Sequence, residues 1–215
     1  MSAKRFIAIA GNIGSGKTTL TELLAKHYSW DPHYEVVTEN PYLADFYGDM
    51  NRWSLQLQVF FLSKRFQAHQ QITKSEASAI QDRSIYEDAH IFARALYEGG
   101  QMDKRDYENY FELYSTMTQF LTPPDLVVYV RRSVDVLKGR IRERGRDYEK
   151  AIPEAYLHQL NRCYDEWIEG YKIGKVLTVQ ADTLDLKWNP QDFAYVCQSI
   201  ESSLEQPELF FRSTC

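Results

Sequence analysis

Short apolar runs alternate with amphipathic stretches along most of the chain. Residues 6–10 form an unbroken run, Phe-Ile-Ala-Ile-Ala, which predicts a strand buried on both faces. A glycine-rich turn follows, then a helix over 17–28. Residues 34–38 predict a second strand. Helical periodicity over 53–72 puts Leu55, Val59, Leu62 and Phe66 on one face. A short third strand is expected at 77–81, with helices over 85–98 and 104–121, the latter closed by Pro123 and Pro124. Residues 126–130 are a strongly apolar fourth strand. A helix over 134–143 ends in a basic turn, and 153–171 predict another. The fifth strand falls at 176–179 and the last helix at 192–204. The tail, 206–215, is expected to fray or pack loosely. This alternation predicts a five-stranded parallel α/β sheet in one domain spanning 1–215.

Composition narrows the classes. The 215 residues are 44% hydrophobic, enough for one sizeable core. Thirty acidic against 25 basic residues leave a net charge of −5, which argues against broad nucleic-acid binding. Cys163, Cys197 and Cys215 lack metal-ligand spacing, and an odd, sparse set suits a reducing compartment. No apolar run reaches the ~18 residues of a membrane span, and the N-terminus is too polar for a signal peptide. The expectation is a soluble, cytoplasmic protein without membrane or nucleic-acid partners.

The strongest local signal is Gly11-Asn12-Ile13-Gly14-Ser15-Gly16-Lys17-Thr18, a complete G-x-x-x-x-G-K-[ST] between a predicted strand and a predicted helix. Successive backbone N–H groups there can face one anion, and the helix start adds positive potential. Lys17 is the candidate for the β and γ phosphates of ATP, and Thr18 for Mg²⁺. Thr19 completes the ATP-binding set. The absence of N-K-x-D lowers a GTPase reading.

A kinase must also take a proton from its acceptor. Glu35 and Glu39 both lie where the second strand should end, and composition does not rank them. Asp82 and Arg83 fall at the end of the third strand, where open parallel sheets bind ligands. Asp82 is a candidate for a Mg²⁺-bound water, and Arg83 for phosphate charge. Ser84 reads equally as a helix cap. Arg140 and Arg144 share a helical face, with Arg146 beyond Gly145. That cluster suits a lid, about 140–152, closing on the phosphates.

These stretches, with Asn40-Pro41-Tyr42-Leu43, Phe46-Tyr47, Arg52-Trp53-Ser54 and Asp82 to Asp88, resemble the deoxynucleoside kinase family, especially its bacterial deoxyadenosine and deoxyguanosine kinases. The resemblance covers roughly 6–193. It implies a P-loop NTPase-type three-layer fold with a helical lid. It also implies transfer of the γ-phosphoryl of ATP to the 5′-hydroxyl of a deoxynucleoside, with a purine preferred; an ionised Asp88 as acceptor also favours bases with an exocyclic amine, which keeps deoxycytidine as a second substrate. The family's glutamate five residues before Asn-Pro-Tyr selects Glu35 as base, with Val36 in place of the usual proline and Glu39 in reserve. Gln58 matches the residue that pairs with the base edge, and Phe92 the ring that stacks on it. Arg65 and Asp88 match a pair beside the base, and Tyr47 and Glu149 the pair that holds the 3′-hydroxyl. Asp182, Asp185 and Leu186 match the loop over the ATP adenine. A homodimer is the family expectation. The rival readings are a thymidylate-type monophosphate kinase and a non-catalytic nucleotide-sensing module.

Overall fold

The computed structural model describes residues 3–35 and 40–205. Five parallel strands form one sheet in the order β2-β3-β1-β4-β5, with β1 at Phe6–Ala10, β2 at Asp31–His33, β3 at Ala79–Asp82, β4 at Leu126–Arg131 and β5 at Lys175–Gln180. Strand pleating divides the core in two. Ala8, Ala10, Val127 and Tyr129 point to one side, packing with Leu57, Leu62, Leu160 and Tyr164. Ile7, Ile9, Val128 and Val130 point to the other, packing with Leu20, Leu24, Val196 and Ile200. Both faces are covered by helices, which is why the central strands read as continuous apolar runs.

The helices are α1 (Lys17–Tyr28), α2 (Leu43–Gly48), α3 (Met50–Lys74), α4 (Ile85–Glu87), α5 (Arg94–Glu98), α6 (Lys104–Thr118), α7 (Val134–Arg144), α8 (Glu154–Glu169) and α9 (Pro190–Glu205). A π-helical turn, Asp88–Ala93, joins α4 to α5, and a 3₁₀ turn, Asp147–Ala151, follows α7. No helix among the described residues is long and apolar enough to cross a membrane.

Two expectations need correction. The second strand lies at Asp31–His33 rather than 34–38. It is a sheet edge, so it tolerates Pro32 and carries little apolar signal. Tyr34 and Glu35 follow it in irregular backbone, and 36–38 lie outside the described residues. The buried face of α3 is also displaced. It carries Ser54, Leu57, Gln58, Leu62, Arg65, His69 and Ile72, whereas Val59 is exposed. Apolar residues occur around most of this helix, and the polar residues Gln58, Arg65 and His69 turn inward. Hydrophobicity alone therefore mislocates the face. The short helix α2 was not expected; the Asn40 side chain opens the turn before it, its Oδ1 accepting from Tyr42 N at 2.9 Å.

Candidate functional site

A cavity of about 570 Å³ opens over the C-terminal ends of β1 and β3, the usual ligand position in such sheets. The phosphate loop forms its floor. Gly14 has φ +82, and a Cβ there would sit 2.8 Å from Ile141 Cγ1 and 3.1 Å from Leu137 O. Glycine is thus required both by the left-handed backbone and by the direct approach of α7. At Gly16 (φ +97) a Cβ would meet Arg140 Nη2 at 3.4 Å, so this arginine lies across the loop. Ile13, Gly14, Gly16, Lys17, Thr18 and Thr19 line the cavity. Gly11, Asn12 and Ser15 instead build the loop from behind. The Asn12 amide donates to Asn161 Oδ1 at 2.7 Å and Leu157 O at 3.0 Å, tying the loop to α8.

Lys17 is buried, and its ammonium donates to Asn12 O at 3.0 Å. Burial, then the nearby Arg83 charge, push its pKa down to about 8. The Thr18 hydroxyl donates to Asp82 Oδ2 at 2.5 Å. Asp82 Oδ1 is buried and has no hydrogen-bond partner among the described residues. One hydroxyl and one carboxylate with a spare oxygen fit Mg²⁺, which takes few protein ligands and completes its shell from water and phosphate.

Glu35, just beyond β2, is ion-paired with two arginines. Arg65 Nη2 donates to its Oε1, and Arg83 Nε lies 3.3 Å from the same oxygen. Burial pushes the Glu35 carboxyl up, but the charges of Arg83, Arg65, Lys17 and Arg146 together hold it below the usual carboxylate range. The carboxylate is therefore ionised at neutral pH, the form a proton acceptor must start from. Glu39 lies outside the described residues.

Arg65 also donates through Nη1 to Asp88 Oδ1 at 2.7 Å, with its guanidinium over Phe61 at 4.7 Å. Burial pushes the Asp88 carboxyl up to about 7, against the downward pull of Arg65 and Arg83. Asp88 Oδ2 and Gln58 Oε1 are both buried without a partner among the described residues. In its ionised form Asp88 is an acceptor, and with Gln58 Oε1 it suits a ligand that brings N–H donors. Phe92 lines the same wall, its ring 4.4 Å from the Arg83 guanidinium carbon.

Arg83 has φ +70, rare for a side-chain-bearing residue and characteristic of strained functional positions. Its charge is held by Glu35 and, 3.7 Å from Nη1, by Glu87. Ser84 does cap its helix: Glu87 accepts from Ser84 N at 2.8 Å in a capping box. Glu87 also accepts from Gly11 N at 3.3 Å.

Beyond α7, Arg144 forks onto Glu149 with bonds of 3.0 and 2.7 Å, and Arg146 reaches the same carboxylate at 3.4 Å. Tyr47 stacks on Tyr148 with centroids 6.1 Å apart. Burial, then Tyr156, Glu149 and Glu35, push its phenol well up. Gly145 caps α7 with φ +70 between Arg144 and Arg146.

The structure thus brings Lys17, Thr18, Glu35, Tyr47, Gln58, Arg65, Asp82, Arg83, Asp88, Phe92, Arg140, Arg144, Arg146 and Glu149 to one cavity. It does not bring Asp185 or Leu186 there. Leu186 packs in the core beside the α1 side of the sheet, and Asp185 closes a turn by accepting from Trp188 N at 3.1 Å. Asp182 accepts from Ser133 N at 2.8 Å. Sequence reasoning missed Glu87, whose signal was the Ser84-x-x-Glu87 spacing. It also missed Arg132, which joins the phosphate loop to the loop after β5 by donating to Ser15 O at 2.9 Å and Leu184 O at 3.2 Å. No motif marked that residue.

The family model for deoxynucleoside kinase matches residues 7–205. The chain is 38% identical over 182 residues to the deoxyadenosine/deoxycytidine kinase of Bacillus subtilis (strain 168), covering 84% of each. It is 33% identical over 205 residues to the deoxyguanosine kinase of the same organism, covering 94% of this chain and 98% of that one. The structure of deoxyadenosine kinase from M. mycoides with bound dATP superposes with a TM-score of 0.81 at 30% identity, over 92% of this chain and 99% of the other.

Proposed function

Since this chain belongs to the deoxynucleoside kinase family, we propose that the cavity binds ATP on the phosphate loop and a purine deoxynucleoside against Gln58, Asp88 and Phe92. The observation that carries this reading is the placement of Glu35. One carboxylate, paired with Arg65 and Arg83, faces the same cavity as Lys17 of the phosphate loop.

The 5′-hydroxyl attacks the γ-phosphorus, its O–P bond forming as the bond to the ADP oxygen breaks, and its proton passes to Glu35. Phosphoryl transfer depends mostly on positioning and charge neutralisation. Lys17 leaves Asn12 O for the phosphates, and Arg83 meets the transferring group. Thr18 and Asp82 would hold Mg²⁺, which supplies neutralisation of phosphate charge. Tyr47 and Glu149 would hold the sugar 3′-hydroxyl. A homodimer and a cytoplasmic location belong to the same proposal; the exposed Val59 and Leu113, on α3 and α6, are apolar surface available to such a partner.

Residues 140–152 form the lid. Arg144 is engaged by Glu149 in this structure, so its turn toward phosphate frees that carboxylate for the sugar. Arg144→Ala and Arg146→Ala are expected to lower kcat by roughly 10- to 100-fold, the scale of a lost charge-assisted hydrogen bond. Nucleoside Kd should change less. Steady-state kinetics with a binding titration checks this, and unchanged turnover in both variants would return the arginines to a solvated helix end.

The base preference follows from the orphaned acceptors. Adenine presents an exocyclic amine, and guanine an N1–H and an amine. Cytosine has an amine too, whereas thymine has none. Leaving a buried acceptor unpaired costs about 1–3 kcal/mol, or roughly tenfold to a hundredfold in preference per lost contact. Competition among the four deoxynucleosides at equal concentration should rank deoxyadenosine or deoxyguanosine first, deoxycytidine next and thymidine last. Thymidine in first place would overturn the assignment.

A further inference from the structure

Tyr164 does not line the cavity, yet its hydroxyl stands between two charged groups of the site. It lies on α8, fully buried. The hydroxyl accepts from Arg83 Nη1 at 2.8 Å and donates to Glu87 Oε2 at 2.7 Å. That same Glu87 oxygen accepts from Gly11 N, at the start of the phosphate loop. The ring stacks on Tyr129, centroids 5.3 Å apart and 12° from parallel, and meets Phe92 edge-on at 6.4 Å.

We propose that Tyr164 is a positioning residue for phosphoryl transfer, its hydroxyl fixing the Arg83 guanidinium toward the cavity and linking it to the phosphate loop through Glu87. The inference rests on the reading of Arg83 given above. Two carboxylates compete for this arginine. Glu35 attracts it from the cavity, 3.3 Å from Nε without a hydrogen bond, and Glu87 draws it inward from 3.7 Å at Nη1. In a buried setting that inward attraction is weakly screened. The hydroxyl answers both sides at once: it satisfies Nη1 and occupies the Glu87 oxygen. Without it, Nη1 loses its hydrogen-bond partner and the Glu87 oxygen keeps only the 3.3 Å bond from Gly11 N, so the two charges close on each other and the guanidinium withdraws from the cavity. The strained backbone at Arg83 leaves its orientation dependent on such side-chain contacts. Phe92, beneath the guanidinium, is held by the same tyrosine ring.

The test is Tyr164→Phe, which keeps the ring and its stacking and deletes only the hydroxyl. Tyr129→Phe is the control, since it removes the hydroxyl of the neighbouring stacked tyrosine, which bonds Asp165 at 3.1 Å instead. The expected result for Tyr164→Phe is a fall in kcat of about 10- to 100-fold. Deoxyadenosine Kd, by calorimetric titration, should stay within about threefold, because the base and sugar contacts do not involve this hydroxyl. Tyr129→Phe should keep kcat within about twofold. A Tyr164→Phe kcat within twofold of wild type would overturn the proposal. So would equal losses of kcat and deoxyadenosine affinity, or a matching loss in Tyr129→Phe, either of which reports general packing. Wild-type turnover in the same series tests the function separately: if the wild type phosphorylates no deoxynucleoside, the reading of the site fails and this inference with it.

Discussion

Lys17→Ala is expected to reduce phosphoryl transfer by about 10³-fold, to near background, while the protein stays folded. Lys17 is the phosphate-loop lysine, and its ammonium rests on Asn12 O with no carboxylate bonded to it among the described residues. Burial and Arg83 both work against its charge. Removing it relieves repulsion on Arg83 and takes a favourable charge from Asp82, Glu35 and Glu87, none of which is bonded to it, so the two effects offset and the thermal midpoint should not fall sharply. The same electrostatics give a pH dependence. In the free protein Lys17 loses its proton through about pH 8. Triphosphate favours the charged ammonium, so binding above that pH takes up a proton and affinity falls as pH rises through 8. Calorimetry in buffers of different ionisation enthalpy should detect that uptake at pH 8.5 in wild type and not in Lys17→Ala. Near-normal turnover in the variant would contradict the phosphate-loop role.

The second large effect is expected at Glu35. Glu35→Gln preserves shape and removes the proton acceptor, so turnover should fall by roughly 10²-fold or more. Nucleoside affinity should be less affected, because Gln58, Asp88 and Phe92 are intact. The fold should also survive. Arg65 keeps Asp88 at 2.7 Å, and Arg83 keeps Tyr164 and Glu87. Pre-steady-state kinetics separates the chemical step from product release. If Glu39→Gln shows the loss and Glu35→Gln does not, the base is Glu39, and the assignment made across Val36 is in error.

What was legible in the sequence divides along physical lines. Central strands buried on both faces announce themselves as apolar runs, so β1 and β4 were readable nearly to the residue. The phosphate loop was readable because its backbone conformation restricts residue type at Gly14 and Gly16. The edge strand was not, since Asp31-Pro32-His33 has one neighbour and no apolar pattern. The orientation of α3 was hidden because Gln58 and Arg65 point inward to serve the cavity. Hydrophobic periodicity reads such residues as solvent-facing. Resemblance, not periodicity, supplied those two positions. The Tyr164 bridge and the Arg132 anchor left no local trace. Each joins segments far apart in the chain, and only the fold brings them together.

The central claim is that a deoxynucleoside, not a deoxynucleotide, is the phosphoryl acceptor. Incubation with ATP, Mg²⁺ and either deoxyadenosine or thymidylate, with products resolved by ³¹P NMR, tests it most directly. The account predicts equimolar ADP and deoxyadenosine 5′-monophosphate, with no thymidine diphosphate. Thymidine diphosphate without deoxyadenosine 5′-monophosphate, or ADP release with no phosphorylated acceptor, would contradict it.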